Sequence, residues 1–207
     1  MNAIVLYDYP RSTASYRVRI ALNLAGLSYE QVMVNLLEDE QSAPEHLARS
    51  PQGFVPVLDI DGHRFIQSLA ILEYLDSTRG LALVPDDPVK RARAMGLAMV
   101  IAVDLHPVCN LSVSNRATGG EEPARTEWMQ EFIGNGLTAF EAMLGGFEQA
   151  PFCTGDRLGL ADLCLVPQLY NADRWGIPLD ELPRIRGVRE ACDRLPAFAE
   201  AHPDRQG

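Results

Sequence analysis

Positive charge is scarce in this sequence: 18 lysines and arginines stand against 28 acidic side chains, for a formal net charge of −10. Nucleic acid is gripped through its phosphates by basic surfaces, so this balance argues against nucleic-acid binding. It argues equally against an electrostatic hold on anionic membranes. Long apolar runs are missing too, none approaching the ~20 residues of a membrane-spanning helix. Apolar residues occur within Met1–Leu6, but no basic stretch precedes them and no cleavage pattern follows, which speaks against a secretory signal. Metal-type cysteine pairs are absent, since Cys109, Cys153, Cys164 and Cys192 fall in no CxxC spacing. Cys164 and Cys192 sit within apolar helical patterns, where a thiol behaves as a small buried hydrophobe. No internal repeat or low-complexity stretch stands out. What is there is a hydrophobic content of 47%, ample for a globular core, and the expected setting is the reduced cytoplasm.

Residues 3–7 (AIVLY) form an apolar run long enough for a buried strand and too short for a helix. From Thr13 to Ala25 the period becomes helical. Val18, Ala21, Leu22 and Ala25 share one face, Arg17, Arg19 and Asn23 are expected to point elsewhere, and Gly26 follows as a stop. Val32, Val34 and Leu36 alternate as a strand does, which gives strand–helix–strand and favours a parallel pair with a right-handed crossover. Residues 37–50 are polar, with room for one helical turn. VPVLDIDGHRFI (55–66) reads as a hairpin turning at Asp61-Gly62. A helix then runs from Ser68 through Ile71, Leu72 and Leu75 to Gly80. The order βαβ then ββα predicts an α/β thioredoxin-like domain over 1–82, a small mixed sheet with helices on both faces. LVPDDP (83–88) is the candidate linker. Beyond it no strand pair is evident, and an all-α helical domain is expected over 88–207. Its expected pieces are a long helix from Val89 to about His106–Asn110, a loop at 114–123, and helices over 124–144, 160–174 and 184–194. Residues 160–166 are apolar almost all round and mark the buried centre of that domain. Asp162, three residues after Gly159, is placed to accept from the first amides of its helix.

Five segments carry a resemblance that runs nearly end to end: RSTASYRVRIAL (11–22), SPQGFVPVL (50–58), QSLAILEYL (67–75), DLHPVCN (104–110) and LADLCLVPQLYNADRW (160–175). The chain resembles the zeta class of glutathione transferases, the class of maleylacetoacetate and maleylpyruvate isomerases. The first three segments are shared in looser form by many glutathione transferases, and the last two narrow the match to zeta. The resemblance implies the cytosolic glutathione transferase fold, bound glutathione, a small anionic substrate and a homodimer.

It also implies roles for particular residues. A cis peptide at Val55-Pro56 would turn the Val55 backbone outward to pair with the cysteine main chain of glutathione, as an added strand would. Gln67 and Ser68, where a helix begins, would hold the γ-glutamyl end with free amides and a hydroxyl, although a plain serine cap is the commoner use of such a residue. Gln52, His106 and Asn110 complete the implied glutathione contacts; a packed histidine without a ligand is the alternative reading of His106. Ser12 is the first choice for activating the thiol and Thr13 the second. A free thiol has a pKa of about 8.5, and a hydroxyl donor at a positive helix end favours its thiolate. Arg11 and Arg174 are the candidate anchors for a dicarboxylate-like substrate, because arginine grips carboxylates bidentately.

Several positions depart from the family pattern. Ala14 stands where a cysteine is frequent, which puts thiol-dependent chemistry such as reductive dehalogenation in doubt. Tyr16 stands where tryptophan or histidine is common, and Cys109 where asparagine is. Leu111 replaces an arginine found in some maleylpyruvate isomerases, and Gly159 replaces a Ser or Thr cap. The implied activity is glutathione-dependent cis–trans isomerisation of a maleyl keto acid, maleylacetoacetate first, in aromatic compound catabolism. Transfer of glutathione to electrophiles such as α-halo acids is the alternative activity, and a non-catalytic interaction module of the same fold is the third reading.

Overall fold

The structure is a computed structural model and describes residues 3–147 and 151–206. Strand β1 (Val5–Asp8), helix α1 (Thr13–Leu24) and strand β2 (Glu30–Met33) form the first βαβ unit, with β1 and β2 parallel. The second strand lies earlier than its alternation predicts. The Val34 N–H still bonds the Asp8 carbonyl at 2.8 Å, but there the chain turns off, with the Asn35 side chain accepting from the Leu37 N–H. Val34 and Leu36 therefore stand outside the ladder. A 3₁₀ turn (Glu40–Ser42) and a short helix α2 (Pro44–Leu47) fill the polar stretch, and β3 (Val57–Ile60) and β4 (His63–Ile66) make the hairpin. Its turn takes positive φ at Asp61 (53°) and Gly62 (80°), which suits an Asp-Gly pair. Helix α3 (Ser68–Arg79) closes on Gly80 in the left-handed region. The sheet order is β2-β1-β3-β4, the thioredoxin-like arrangement expected.

Residues expected to point away from the apolar face of helix α1 are nevertheless covered. Arg17 and Arg19 are among its most deeply buried side chains. Arg19 is accommodated by a buried ion pair with Asp8 at 2.7 Å and by the carbonyls of Pro10 and Ala201 at 2.9 Å each. Asn23 donates to the carbonyl of Ala197.

Two compact units result. One is Leu83–Leu195; the other joins the residues up to Ala82 with those from Pro196 on. The end of the chain, expected in a second domain over 88–207, thus belongs with the sheet, because helix α10 (Pro196–Ala201, named ahead of its turn in the chain) supplies the carbonyls that Arg19, Asn23 and Tyr16 bond.

Within the other unit, helix α4 (Pro88–Met99), a π-helical turn (Val100–Leu105) and α5 (His106–Val108) make the long helical run anticipated from Val89. Helix α6 (Leu111–Thr118) occupies much of the segment expected to be a loop. Two of its polar residues are satisfied inside the helix, the Ser114 and Thr118 hydroxyls donating to the carbonyls of Leu111 and Ser114, and the chain leaves it at Gly119 with φ 68°. Helices α7 (Ala124–Leu144), α8 (Leu160–Arg174) and α9 (Pro183–Asp193) follow. As expected, α8 is buried along most of its length; the Asp162 carboxylate accepts from the N–H of its N-cap, Gly159, and from that of Cys153 ahead of the helix, at 2.8 Å each.

The π turn packs tightly on α7: a Cβ built at Gly136 would lie 2.7 Å from Leu105 Cδ2. Overpacking of that kind costs ~1–3 kcal/mol, against roughly 1 kcal/mol gained in helix propensity. We expect Gly136→Ala to lower the melting temperature by about 2–4 °C per net kcal/mol lost, read by circular dichroism; a raised Tm would show that Leu105 moves aside freely.

Candidate active site

Ser12 leaves the β1–α1 loop in an extended conformation and caps α1, its Oγ accepting the Ser15 N–H at 3.2 Å. That bond uses a lone pair of the oxygen, so the hydroxyl hydrogen is still available to donate. The donor is half-buried at the positive end of a 12-residue helix, a position that favours an anion. Thr13 is the first helical residue and is buried, and Arg11 is exposed just before them.

Helix α3 starts differently. Gln67 holds φ 69° and ψ 111°, and no side chain caps the helix. A residue with a Cβ occupies that region at a cost of ~1–3 kcal/mol, a form of strain that clusters at ligand sites. The first-turn amides, without a capping side chain, are suited to a carboxylate. Ser68 is not the cap that a serine at a helix start would ordinarily be. It is the first helical residue, buried, and its Oγ accepts from Nη1 of Arg17 at 3.2 Å. The Gln67 side-chain amide donates to Gln52 Oε1 at 2.7 Å, which draws the loop before β3 to the helix start. In that loop the Val55–Pro56 peptide is cis, and among the described residues neither the N–H nor the C=O of Val55 enters a hydrogen bond. Sequence reasoning missed Arg17 by placing it only off the apolar face of α1; the nearest signal was Ser68 itself, a hydroxyl able to receive a buried cation.

The remaining candidates lie in the other unit. His106 opens α5 directly after the π turn, and Asn110 is the N-cap of α6 without a side-chain capping bond; both are half-buried. Trp128 Nε1 donates to the Val108 carbonyl at 2.9 Å and pins this corner to α7. Arg174 is exposed at the last turn of α8, its guanidinium carbon 6.0 Å from the Tyr170 ring centre.

The chain's own thiols are poor nucleophiles. Burial pushes Cys109 up to about 12, and pushes Cys153 and Cys192 well above the ordinary thiol value. Cys164 is fully buried, and Ala14 beside Thr13 has no thiol at all. With a pKa near 12, about one Cys109 in 10⁴ is thiolate at pH 8. A disulfide reagent at that pH is therefore expected to find fewer than one reactive thiol in the folded protein and all four after denaturation. One fast-reacting thiol in the folded state would contradict this.

The comparisons with known proteins agree with the geometry. The family description "Glutathione S-transferase, N-terminal domain" matches residues 2–77, and "Glutathione S-transferase, C-terminal domain" matches residues 122–199. A maleylacetoacetate isomerase of Rhizobium meliloti (strain 1021) is 56% identical over 208 residues, covering 99% of this chain and 98% of its own. A holo maleyl pyruvate isomerase, a bacterial zeta-class glutathione S-transferase, superposes with a TM-score of 0.93 at 38% identity over 98% of each chain. The chain belongs to the zeta class of glutathione S-transferases. A further solved structure, a maleylacetoacetate isomerase from Methylobacterium extorquens AM1 with bound malonate and glutathione, superposes with a TM-score of 0.92 at 40% identity, again over 98% of each chain.

The groups present suit the zeta-class cofactor. A γ-glutamyl tripeptide needs a site for a carboxylate, a main-chain donor and acceptor for its central residue, and a donor for its sulfur. The start of α3, Val55 and Ser12 offer these in turn. Among the departures, Tyr16 is buried and donates to the Phe198 carbonyl at 3.3 Å, so this position serves the packing of α10. At Gly159 a Cβ would lie 3.1 Å from the Leu83 carbonyl, a tight contact that glycine avoids.

Proposed function

We propose that this protein is a glutathione-dependent isomerase converting a maleyl keto acid, maleylacetoacetate first, to its fumaryl isomer during the breakdown of aromatic compounds. The observation that carries the reading is the pairing of a capped helix start that retains a hydroxyl donor, at Ser12, with an uncapped one at Gln67-Ser68, in a chain where burial raises the thiols of Cys109, Cys153 and Cys192 and Cys164 is fully buried. When bound, glutathione supplies a thiolate whose reversible addition makes the cis double bond single, so that it can rotate before the sulfur leaves.

The chain's part is to bind, orient and stabilise charge. Ser12 donates to the sulfur, with the positive end of α1 behind it and Thr13 as second choice. Gln52, Gln67 and Ser68 hold the γ-glutamyl end, Val55 before Pro56 pairs with the central residue, and His106 and Asn110 contact the tripeptide. Arg11 and Arg174 grip the substrate's carboxylates and favour negative charge developing on its keto oxygen. The malonate and glutathione bound together in the Methylobacterium extorquens relative support an anionic substrate.

An ultraviolet assay on maleylacetoacetate and maleylpyruvate, with and without glutathione, tests the reading. Turnover should require glutathione and leave the free thiol concentration unchanged over many cycles. A rate indifferent to glutathione would refute the isomerase, and steady loss of thiol would turn the assignment to group transfer.

The working form is a homodimer in the cytoplasm. Exposed apolar side chains at Leu37, Phe54, Val89 and Val103 support a second copy, and four free cysteines fit a reducing compartment. Sedimentation should give twice the chain mass of 22.8 kDa.

A further inference from the structure

The loop that carries Val55 is held by two buried polar side chains that no part of the mechanism uses. His46, on α2, is 2% exposed, and its Nε2 lies 3.0 Å from the carbonyl oxygen of Phe54. A carbonyl only accepts, so Nε2 is the donor of this bond; Nδ1 is buried and has no hydrogen-bond partner among the described residues. Ser50, also 2% exposed, accepts the Phe54 N–H on its Oγ at 3.3 Å. Both polar groups of Phe54 are thus taken up by side chains, while its own ring is 46% exposed. The turn beneath is tight: the Gly53 N–H bonds the Ser50 carbonyl at 2.8 Å, Gly53 has φ 66°, and a Cβ there would lie 3.2 Å from the Gln41 carbonyl. The next residue, Val55, keeps both its backbone groups unbonded among the described residues.

We infer that His46 and Ser50 are positioning residues, which capture the N–H and C=O of Phe54 and so present those of Val55 to the main chain of the bound peptide. The inference rests on the proposed pairing of Val55 with glutathione. Without the two captures, the Phe54 groups would compete as alternative partners, and the loop would have to be ordered when ligand binds, a cost drawn from affinity. Gln52 sits in the same turn, so the brace also fixes the Gln52–Gln67 bond.

The test uses the full-length protein with three variants, reduced glutathione as the probe, and calorimetry for binding. His46→Phe and Ser50→Ala should each weaken glutathione binding about 5- to 20-fold while kcat at saturating glutathione stays within about twofold. His46→Gln, whose amide can donate from the same reach, should stay within about threefold of wild type. A role in stability alone would lower Tm in all three and leave affinity unmoved, which would overturn the inference. Should His46→Phe fail to fold, Ser50→Ala and His46→Gln decide it by the same readings. Amide hydrogen exchange on the ligand-free protein separates this inference from the glutathione reading: exchange at Phe54 should quicken about tenfold in Ser50→Ala. Unchanged exchange would overturn the brace even if glutathione binds normally. Wild-type protein that does not bind glutathione would overturn the site reading, and with it the purpose given to the brace.

Discussion

Ser12→Ala is expected to lower kcat at saturating glutathione by ~10²-fold at neutral pH, in the range found for deleting one hydrogen-bond donor to a reacting anion. The Ser12 hydroxyl has one task seen in the fold and one proposed for the site, and they can be separated. As an acceptor it caps α1 through the Ser15 N–H; losing that costs about 1 kcal/mol, or about 2–4 °C in Tm for a chain of this size, too little to unfold the protein. In the proposed role as a donor it would stabilise the thiolate, so its removal should raise the pKa of the bound thiol. The sign follows directly: less thiolate at pH 7, and a rising limb of the pH–rate profile displaced to higher pH, with part of the rate recovered in alkali. Ser12→Asp divides the two tasks, because aspartate caps as well as serine but sets a negative charge against the sulfur. It should keep the melting temperature and lose at least as much activity as the alanine variant. An alanine variant with an unchanged rate and pH profile would remove Ser12 from the chemistry and leave Thr13 as the candidate.

Much of this was legible because local chemistry and global fold agree. The Asp61-Gly62 turn, the glycine closing α3 and the apolar run of α8 each dictate one conformation, and each is found. What misled the sequence reading was polar chemistry satisfied inside the protein. Arg17 and Arg19 lie off the apolar face on a helical wheel, but their partners, Ser68 and Asp8, are 51 and 11 residues away in sequence, and periodicity carries no information about such pairs. Ser114 and Thr118 look like loop residues until their hydroxyls are seen bonding back to their own helix. Among the candidates, Ser12 and Val55 were named through the family pattern. His46 lies outside its segments, and Ser50, although it opens SPQGFVPVL, drew no role there, because both bond the backbone of a neighbour, and a backbone group leaves no mark on the sequence.

The Asp8–Arg19 pair should be the most costly polar contact to break in the sheet-containing unit. Both side chains are fully buried and 2.7 Å apart, and Gln31 also donates to the same Asp8 oxygen. Arg19→Met would leave a carboxylate in the core with one amide donor for company, and removing one member of a buried pair costs ~3–5 kcal/mol. At 2–4 °C per kcal/mol, Tm should fall by about 10 °C. A double variant, Asp8→Leu with Arg19→Met, distinguishes the charge from the packing. Apolar replacement of a whole buried pair is often neutral, so most of the lost stability should return, short of what the Pro10 and Ala201 carbonyls lose with the guanidinium, about 1 kcal/mol each. Losses that simply add in the double variant would show that the pair itself contributes nothing. The same guanidinium ties α10 to α1 through Ala201, so the single variant should be cleaved sooner near residues 196–206 by a protease at 25 °C. It also holds the carbonyl of Pro10, two residues before Ser12. Loosening that tie should therefore reach the site as a fall of a few-fold in kcat, well short of the loss in Ser12→Ala.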